Sequence, residues 1–563
     1  MSQLPPSSDS DTEEQPQDPS RRRLLGGLAA AGAALAVGGA PALAATKGAA
    51  TAGAGTPLDA ALRKLVQRVV VIYAENRSFN NLFANFPGVE QPLAALKPAD
   101  YQQRDRDGTL LKTLPPVWHG LAPHKQVVNH RSYQVLEEDL KGLPNAPWAL
   151  RTGSGEPLPH GVVTRDLVHR FYENQRQING GRNDGFVAWG DTGAMVMGYY
   201  DDSAAHLRLW QLARQYTLCD NFFMGAFGGS FLNHQYLVAA QPPHYPDADH
   251  GPARFNIAVT ESGEATDIRL KLAGDSPRSA MEGRPKFASR SSLTPDFHAV
   301  NTMSPPYAPS ATQSGHDPML ADEDSPNTLP PQAHKTIGDV LSAAGVDWAW
   351  YAGAWQLALE GKGDGDEKQF PQRPNFQYHH QPLNYFRSFA PGTGARMKHL
   401  RDGGVGETAA TNRFLADIAA DQLPAVSFYK PQGDLNMHAG YSDVDAGDRH
   451  IMAIVEALQK SPSWQHTMVI ITVDENGGWW DHVAPPKGDR WGPGSRIPAI
   501  IVSPFAKKGH VDHTIYDTGS IARFLTRRFG LEKLPGLALR EQAMVAAGGP
   551  APGDLTNALE FVA

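Results

Sequence analysis

The chain has 563 residues, 41% hydrophobic and 20% charged, with a formal net charge of −8. That length fits one large α/β domain with insertions or two to three ordinary domains, and it can bury a sizeable core without covalent staples. The negative charge speaks against a nucleic-acid partner, and a single cysteine, Cys219, excludes an intramolecular disulfide.

Residues 1–19 are polar and acidic, and Ser20-Arg21-Arg22-Arg23-Leu24-Leu25 then fits the twin-arginine export pattern. A weakly apolar stretch rich in Ala and Gly follows, ending at Ala42-Leu43-Ala44, an A-x-A cleavage signal. Residues 1–44 are therefore expected to be a twin-arginine signal peptide and 45–65 a linker. The expected partner is the twin-arginine export machinery, and the mature protein is expected to be periplasmic or secreted. The stretch is short and poor in Leu, Ile and Phe, so stable membrane insertion is not expected. Its removal takes away three arginines and five acidic residues, leaving a net charge of −6. Export of an already folded chain suits a protein without disulfides. Cys219, inside an apolar run, reads as a core thiol.

Along the rest of the chain, short β-branched runs read as buried strands: Arg68–Ala74, Thr217–Phe223, Trp348–Ala352, Ala425–Lys430, Thr467–Val473 and Ile497–Val502. Helical periodicity appears at Ser203–Gln215, Lys335–Ala344, Thr411–Ala420, Asp448–Lys460 and Ser520–Phe529. Strands alternating with helices predict crossover connections and a mostly parallel sheet. Two stretches break the pattern. Residues 86–160 show no clear alternation, and residues 242–332 are polar and rich in Pro and Ser, too long for an ordinary connection. Both read as insertions on a catalytic domain spanning 66–545, followed by a C-terminal tail, 546–563.

In open α/β sheets functional groups collect beyond the carboxyl ends of strands. Two strands here run into oxygen donors: RVVVIYA into Glu75 and Asn76, and TMVIITV into Asp474 and Glu475. Together they would make a hard-cation site, or a mixed one if histidines join. Gly228-Gly229-Ser230 lies between a strand and a helix-like run. This puts Ser230 near a helix N-terminus, where free N–H groups favour an anionic phosphate. His169, His379, His380, His438 and His482 fall in loops beside strand ends, where phosphate binding or acid/base work is possible.

These pieces together resemble the phosphoesterase family of bacterial acid phosphatases and non-haemolytic phospholipases C. The matching segments occur in family order from about 66 to 530: the ENRSF loop, DLVH with the later NDGF, Ser230 with Asn233, HHQPLNYF, the segment around Asn436 and His438, and DENGGWWDHVAPP. Ser230 and Leu232-Asn233 stand where phospholipases of the family often have Thr and Pro-Asn. The resemblance implies an alkaline-phosphatase-like α/β sandwich and a divalent metal cation held by Glu75, Asn76, Asp474 and Glu475. It also implies Ser230 as nucleophile, His169, His380 and His438 at the phosphoryl group or leaving group, and Asn233 and His379 in substrate binding. His482 matches a family position without a settled role, binding or bracing.

The implied activity is metal-dependent hydrolysis of phosphate monoesters through a phosphoserine, in an acid phosphatase. The expectation of a monoesterase rests on the short stretch after the last family motif and on the lack of a basic or amphipathic lipid-binding segment. A phospholipase C acting on phosphatidylcholine-type diesters is the alternative within the class. A non-catalytic phosphate-ligand-binding protein is the alternative outside it.

Overall fold

The runs RVVVIYA and TMVIITV are apolar at nearly every position, so their strands need cover on both faces. The computed structural model describes residues 56–310, 317–361 and 375–561. The segment read as a signal peptide lies outside the described residues. From Leu58 onward the chain forms one compact unit around an eight-stranded sheet. Its strands are β1 (Arg68–Ala74), β2 (Thr217–Cys219), β3 (Trp348–Gly353), β4 (Leu400–Gly404), β5 (Val426–Lys430), β6 (Thr467–Val473), β7 (Ala499–Val502) and β8 (His510–Asp512). Across the sheet the order is β8-β2-β7-β6-β1-β5-β3-β4. Only β7 runs antiparallel to its neighbours. Every residue of β6 is buried, as are all of β1 but Arg68.

Among the helices are α1 (Phe171–Ile178), α2 (Arg208–Gln215), α3 (Ser230–Ala239), α4 (Ile337–Ala343), α5 (Arg413–Ala419), α6 (Val444–Lys460) and α7 (Gly519–Phe529). Six of them form two groups: α6 packs with α2 and α5, and α3 with α4 and α7. All ten residues of α3 are buried, so the helix that starts at Ser230 is a central element.

The structure departs from the sequence reading in four places. The run Thr217–Phe223 is two strands: Thr217–Cys219 joins the sheet, and Phe222–Phe223 leaves it to pair with Tyr516–Asp517. The edge strands β4 and β8, LRDGG and HVD, were invisible because edges need no apolar run. The stretch 86–160 contains a hairpin, Ala122–Val128 with Arg131–Val135. The linker and the tail are both shorter than expected. Helix Pro57–Leu65 buries Leu62, and Leu555 and Ala558 are fully buried. Among the described residues of 242–332, regular structure is limited to one 3₁₀ turn, Pro252–Asn256, and isolated bridges.

For the site, the decisive fact is that β6, β1 and β5 are neighbours in parallel register. Ala74 sits opposite Val473, so Glu75 and Asp474 leave the sheet side by side, and Lys430 ends the next strand.

Candidate active site

The carboxyl ends of the three central strands deliver three acidic side chains and one lysine, all fully buried: Glu75, Asp474, Glu475 and Lys430. Asn76 adopts a left-handed conformation, φ 57°, that turns the chain just after β1. Its amide donates to Asp474 Oδ1 at 3.1 Å, tying the two strand ends together. Glu75 is crowded with donors. Lys430 Nζ lies 2.6 Å from Oε1, His380 Nε2 donates to the same oxygen at 2.8 Å, and the Tyr441 hydroxyl donates to Oε2 at 2.9 Å.

The opposite holds on β6. Asp474 Oδ2 and Glu475 Oε1 are buried and accept no hydrogen bond. The electrostatics follow this division. Burial pushes Glu75 upward, but Lys430 and then His380 outweigh it and hold the carboxyl well below its ordinary range. Burial lifts Asp474 to about 7, with Lys430 opposing and the charge of Glu75 adding to the rise. Glu475 is also lifted well above the carboxylate range, by burial first.

Ser230 is the first residue of α3, with Gly229 as the cap. Its hydroxyl donates to Asn76 Oδ1 at 3.4 Å, which brings the helix start onto the strand ends. Gly228 is required here: its φ is +92°, and a Cβ would lie 2.6 Å from the amide nitrogen of Phe171. The loop is pinned from inside by Asn233. Its Oδ1 accepts the amide of Ala226 at 2.9 Å, and its Nδ2 donates to the carbonyls of Ala226 at 3.2 Å and Gly229 at 3.1 Å. The Asn233 side chain, expected on the substrate, is therefore turned into the loop backbone. Its Nδ2 also reaches the Gly228 carbonyl at 3.4 Å, so the side chain is spent on the loop that leads into Ser230.

The histidines divide by tautomer. His380 accepts the Gln377 amide at Nδ1, 3.3 Å, so Nε2 carries the proton it gives to Glu75. Burial lowers its pKa to about 3. His169 and His438 hold backbone carbonyls with Nδ1, of Leu167 and Ala439 respectively, leaving Nε2 as the acceptor nitrogen. Those acceptor nitrogens lie 3.9 Å from Glu475 Oε1 and 3.9 Å from Glu75 Oε2. His379 Nε2 is 3.4 Å from Glu75 Oε1, yet its ring makes no aligned hydrogen bond. Burial lowers His379 and His438 as well. His482 stands apart: its ring nitrogens face Asn80 Oδ1 and the Gln91 carbonyl, each at 3.0 Å, the position of a brace.

Four residues here were not singled out from sequence. His234 lies one helical turn after Ser230, its Nδ1 donating to the Ser230 carbonyl at 2.8 Å and lying 3.6 Å from Asp474 Oδ2. Helical spacing, i to i+4, was the signal that could have found it. Lys430 was visible as a charge at the end of a buried strand. Tyr441 stacks on His438 with ring centroids 4.3 Å apart, and Asp166 lies 3.7 Å from His169 Nδ1.

The donor set suits a cation. Ligand atoms of Glu75, His234 and Asp474 lie within 4.8 Å of one another, as do those of Glu75, His379 and His380, and those of Asp166, His169 and His438. The two unsatisfied carboxylate oxygens are stronger support, because a buried acceptor left unpaired costs about 1–3 kcal/mol. Ionised, Glu75, Asp474 and Glu475 bring three negative charges against one on Lys430, and the remaining two match one divalent ion.

Comparison with known proteins bears on this site. The Phosphoesterase family model matches residues 66–532. A non-hemolytic phospholipase C of Pseudomonas aeruginosa is 30% identical over 258 residues, covering 40% of this chain; the chain spans only 33% of that relative's length. Phospholipase C B of Mycobacterium tuberculosis is 24% identical over 537 residues, 88% of this chain and 78% of that protein. Among solved structures, an alkaline phosphatase superfamily protein from Vibrio parahaemolyticus superposes with a TM-score of 0.28 and 10% identity, covering 63% of this chain and 64% of that one. That superposition is too loose to bear on fold or function.

Proposed function

The chain belongs to the Phosphoesterase family, and from that premise we propose that it is a metal-dependent hydrolase of phosphate esters with Ser230 as nucleophile. The observation that carries the reading is Ser230 itself: a buried hydroxyl at the start of α3, hydrogen-bonded to Asn76 at the carboxyl ends of β1 and β6. The helix N-terminus offers unpaired N–H groups to an anionic phosphoryl group. Ser230 Oγ attacks phosphorus, an O–P bond forms, and the bond to the leaving alcohol breaks. Water then hydrolyses the phosphoserine. His169 and His438, whose Nδ1 atoms are held by backbone carbonyls so that Nε2 is the acceptor, are suited to move the protons these steps require. His380 and His379 line the phosphoryl side. Asn233 keeps the loop in place, and His482 braces the rim.

Asp474, Glu475, Asn76 and Glu75 would hold a divalent cation, with His234 as a neighbouring nitrogen donor. Such an ion supplies charge neutralisation for the phosphoryl group and lowers the pKa of a nearby hydroxyl.

Phosphate monoesters at acidic pH are the first reading of substrate. Burial lowers the histidines, so any that must be cationic gains its proton only in acid. A phosphodiesterase acting on phosphatidylcholine is the second reading, favoured by relatives that carry the name phospholipase C. Hydrolysis of p-nitrophenyl phosphate and phosphatidylcholine, measured side by side from about pH 4 to about pH 9, separates them. Ser230→Ala should abolish turnover of whichever ester is cleaved while metal content stays unchanged. Near-normal turnover in that variant would sink the assignment, and faster phosphatidylcholine cleavage would select the second reading.

A further inference from the structure

Three cationic or donor groups converge on one oxygen, Glu75 Oε1: Lys430 Nζ at 2.6 Å, His380 Nε2 at 2.8 Å and His379 Nε2 at 3.4 Å. Without the lysine, the arrangement is that of a metal site. Glu75, His379 and His380 have ligand atoms within 4.8 Å of one another, and a Glu-His-His set suits zinc and its transition-metal neighbours. The His379 side chain is only 9% exposed, and neither of its ring nitrogens has a hydrogen bond.

We infer that Lys430 is a resident cation: its ammonium fills a second cation place, at Glu75, His379 and His380, and limits the centre to one divalent ion. The inference rests on the proposed ion beside Asp474 and goes beyond it, since it concerns how many ions the centre accepts and which residue sets that number. Charge carries the argument. Three buried carboxylates, once ionised, exceed the charge of Lys430 by two, which one divalent ion cancels. With Lys430 charged, a second divalent ion would take the buried centre from neutral to a net +2, a state that a low-dielectric interior disfavours. With Lys430 made neutral, one ion leaves a net −1 and two leave a net +1, so charge no longer singles out the one-ion state, and Glu75 loses its nearest partner.

Geometry holds the lysine in this place. Its stem ends β5, Nζ also reaches the Ala74 carbonyl at 3.4 Å, and it lies 5.6 Å from the centroid of the Tyr73 ring. The histidines can adapt. Ligation through His380 Nε2 requires the other tautomer, which gives up the 3.3 Å bond from Gln377 and replaces the 2.8 Å bond to Glu75 by shared ligation of the ion.

Equilibrium dialysis of the metal-stripped protein against cobalt(II), with visible absorption recorded, tests the inference in wild type, Lys430→Met, Lys430→Gln and Lys430→Arg. Wild type and Lys430→Arg should bind one equivalent, and the two uncharged variants should bind two with additional d–d absorption. Uncharged variants that stop at one equivalent overturn the inference, as does a wild type that binds two. A wild type that binds none refutes the proposed ion itself. Should an uncharged variant melt early when stripped, cobalt must raise its melting temperature by more than it raises that of the wild type. No extra rise counts against Lys430 as the resident cation.

Discussion

Without the proposed cation, this protein's stability should fall as pH rises, and Asp474 sets the size of the effect. Its carboxyl is lifted from the ordinary 3.8 to about 7 by burial, opposed by Lys430 and reinforced by Glu75. A carboxyl raised on folding binds its proton more tightly in the folded state. The folded state is therefore favoured at low pH and loses that advantage as pH climbs through the folded value. Between about pH 5 and about pH 7 the unfolded chain has already ionised while the folded one has not, so each unit costs roughly 1.4 kcal/mol. The chelated protein should thus lose about 3 kcal/mol between about pH 5 and about pH 8. Glu475, raised by burial in the same sense, adds to the loss. Urea unfolding of the chelated protein at both pH values measures it, and Asp474→Asn is the control, because the amide cannot ionise. The charge of Asp474 also raises Glu475, so the difference between the two proteins reports Asp474 together with its coupling to Glu475. Parallel pH dependence in wild type and Asp474→Asn would refute the argument.

Two further outcomes are expected. Asn233→Ala removes the buried partner of the Ala226 amide and three carbonyl contacts, so it should cost about 2–3 kcal/mol in unfolding free energy and lower kcat more than it raises KM; an unchanged kcat would show that the loop holds Ser230 without it. Replacing Arg21 and Arg22 by lysine should leave the precursor in the cytoplasm, read by fractionation, and continued processing near Ala44 would show that another route exports it.

Much of the architecture was legible because it is written in local pattern. β1 and β6 were read at their observed bounds, since a strand covered on both faces must be apolar almost throughout. The donor pairs Glu75-Asn76 and Asp474-Glu475 stood out because they end those strands, and Ser230 because glycines precede a helix-like run. Strands whose order in the sheet leaves no mark on their own sequence were not legible. Neither β4 nor β8 carries an apolar run, and nothing local reverses β7.

Role was harder still, because a side chain's role depends on what the rest of the chain brings to it. Asn233 reads as a polar residue near a nucleophile, but only the path of residues 226–229 around it shows its amide spent on backbone. Lys430 reads as a strand-end charge, and becomes the partner of Glu75 only because β5 lies beside β1, although 355 residues separate them in the chain. Composition and periodicity decided which segments are buried and which donor types are present. The lateral order of the strands decided which of those donors share one buried volume, because distance and desolvation, set by neighbours far apart in sequence, fix the charge that each can carry.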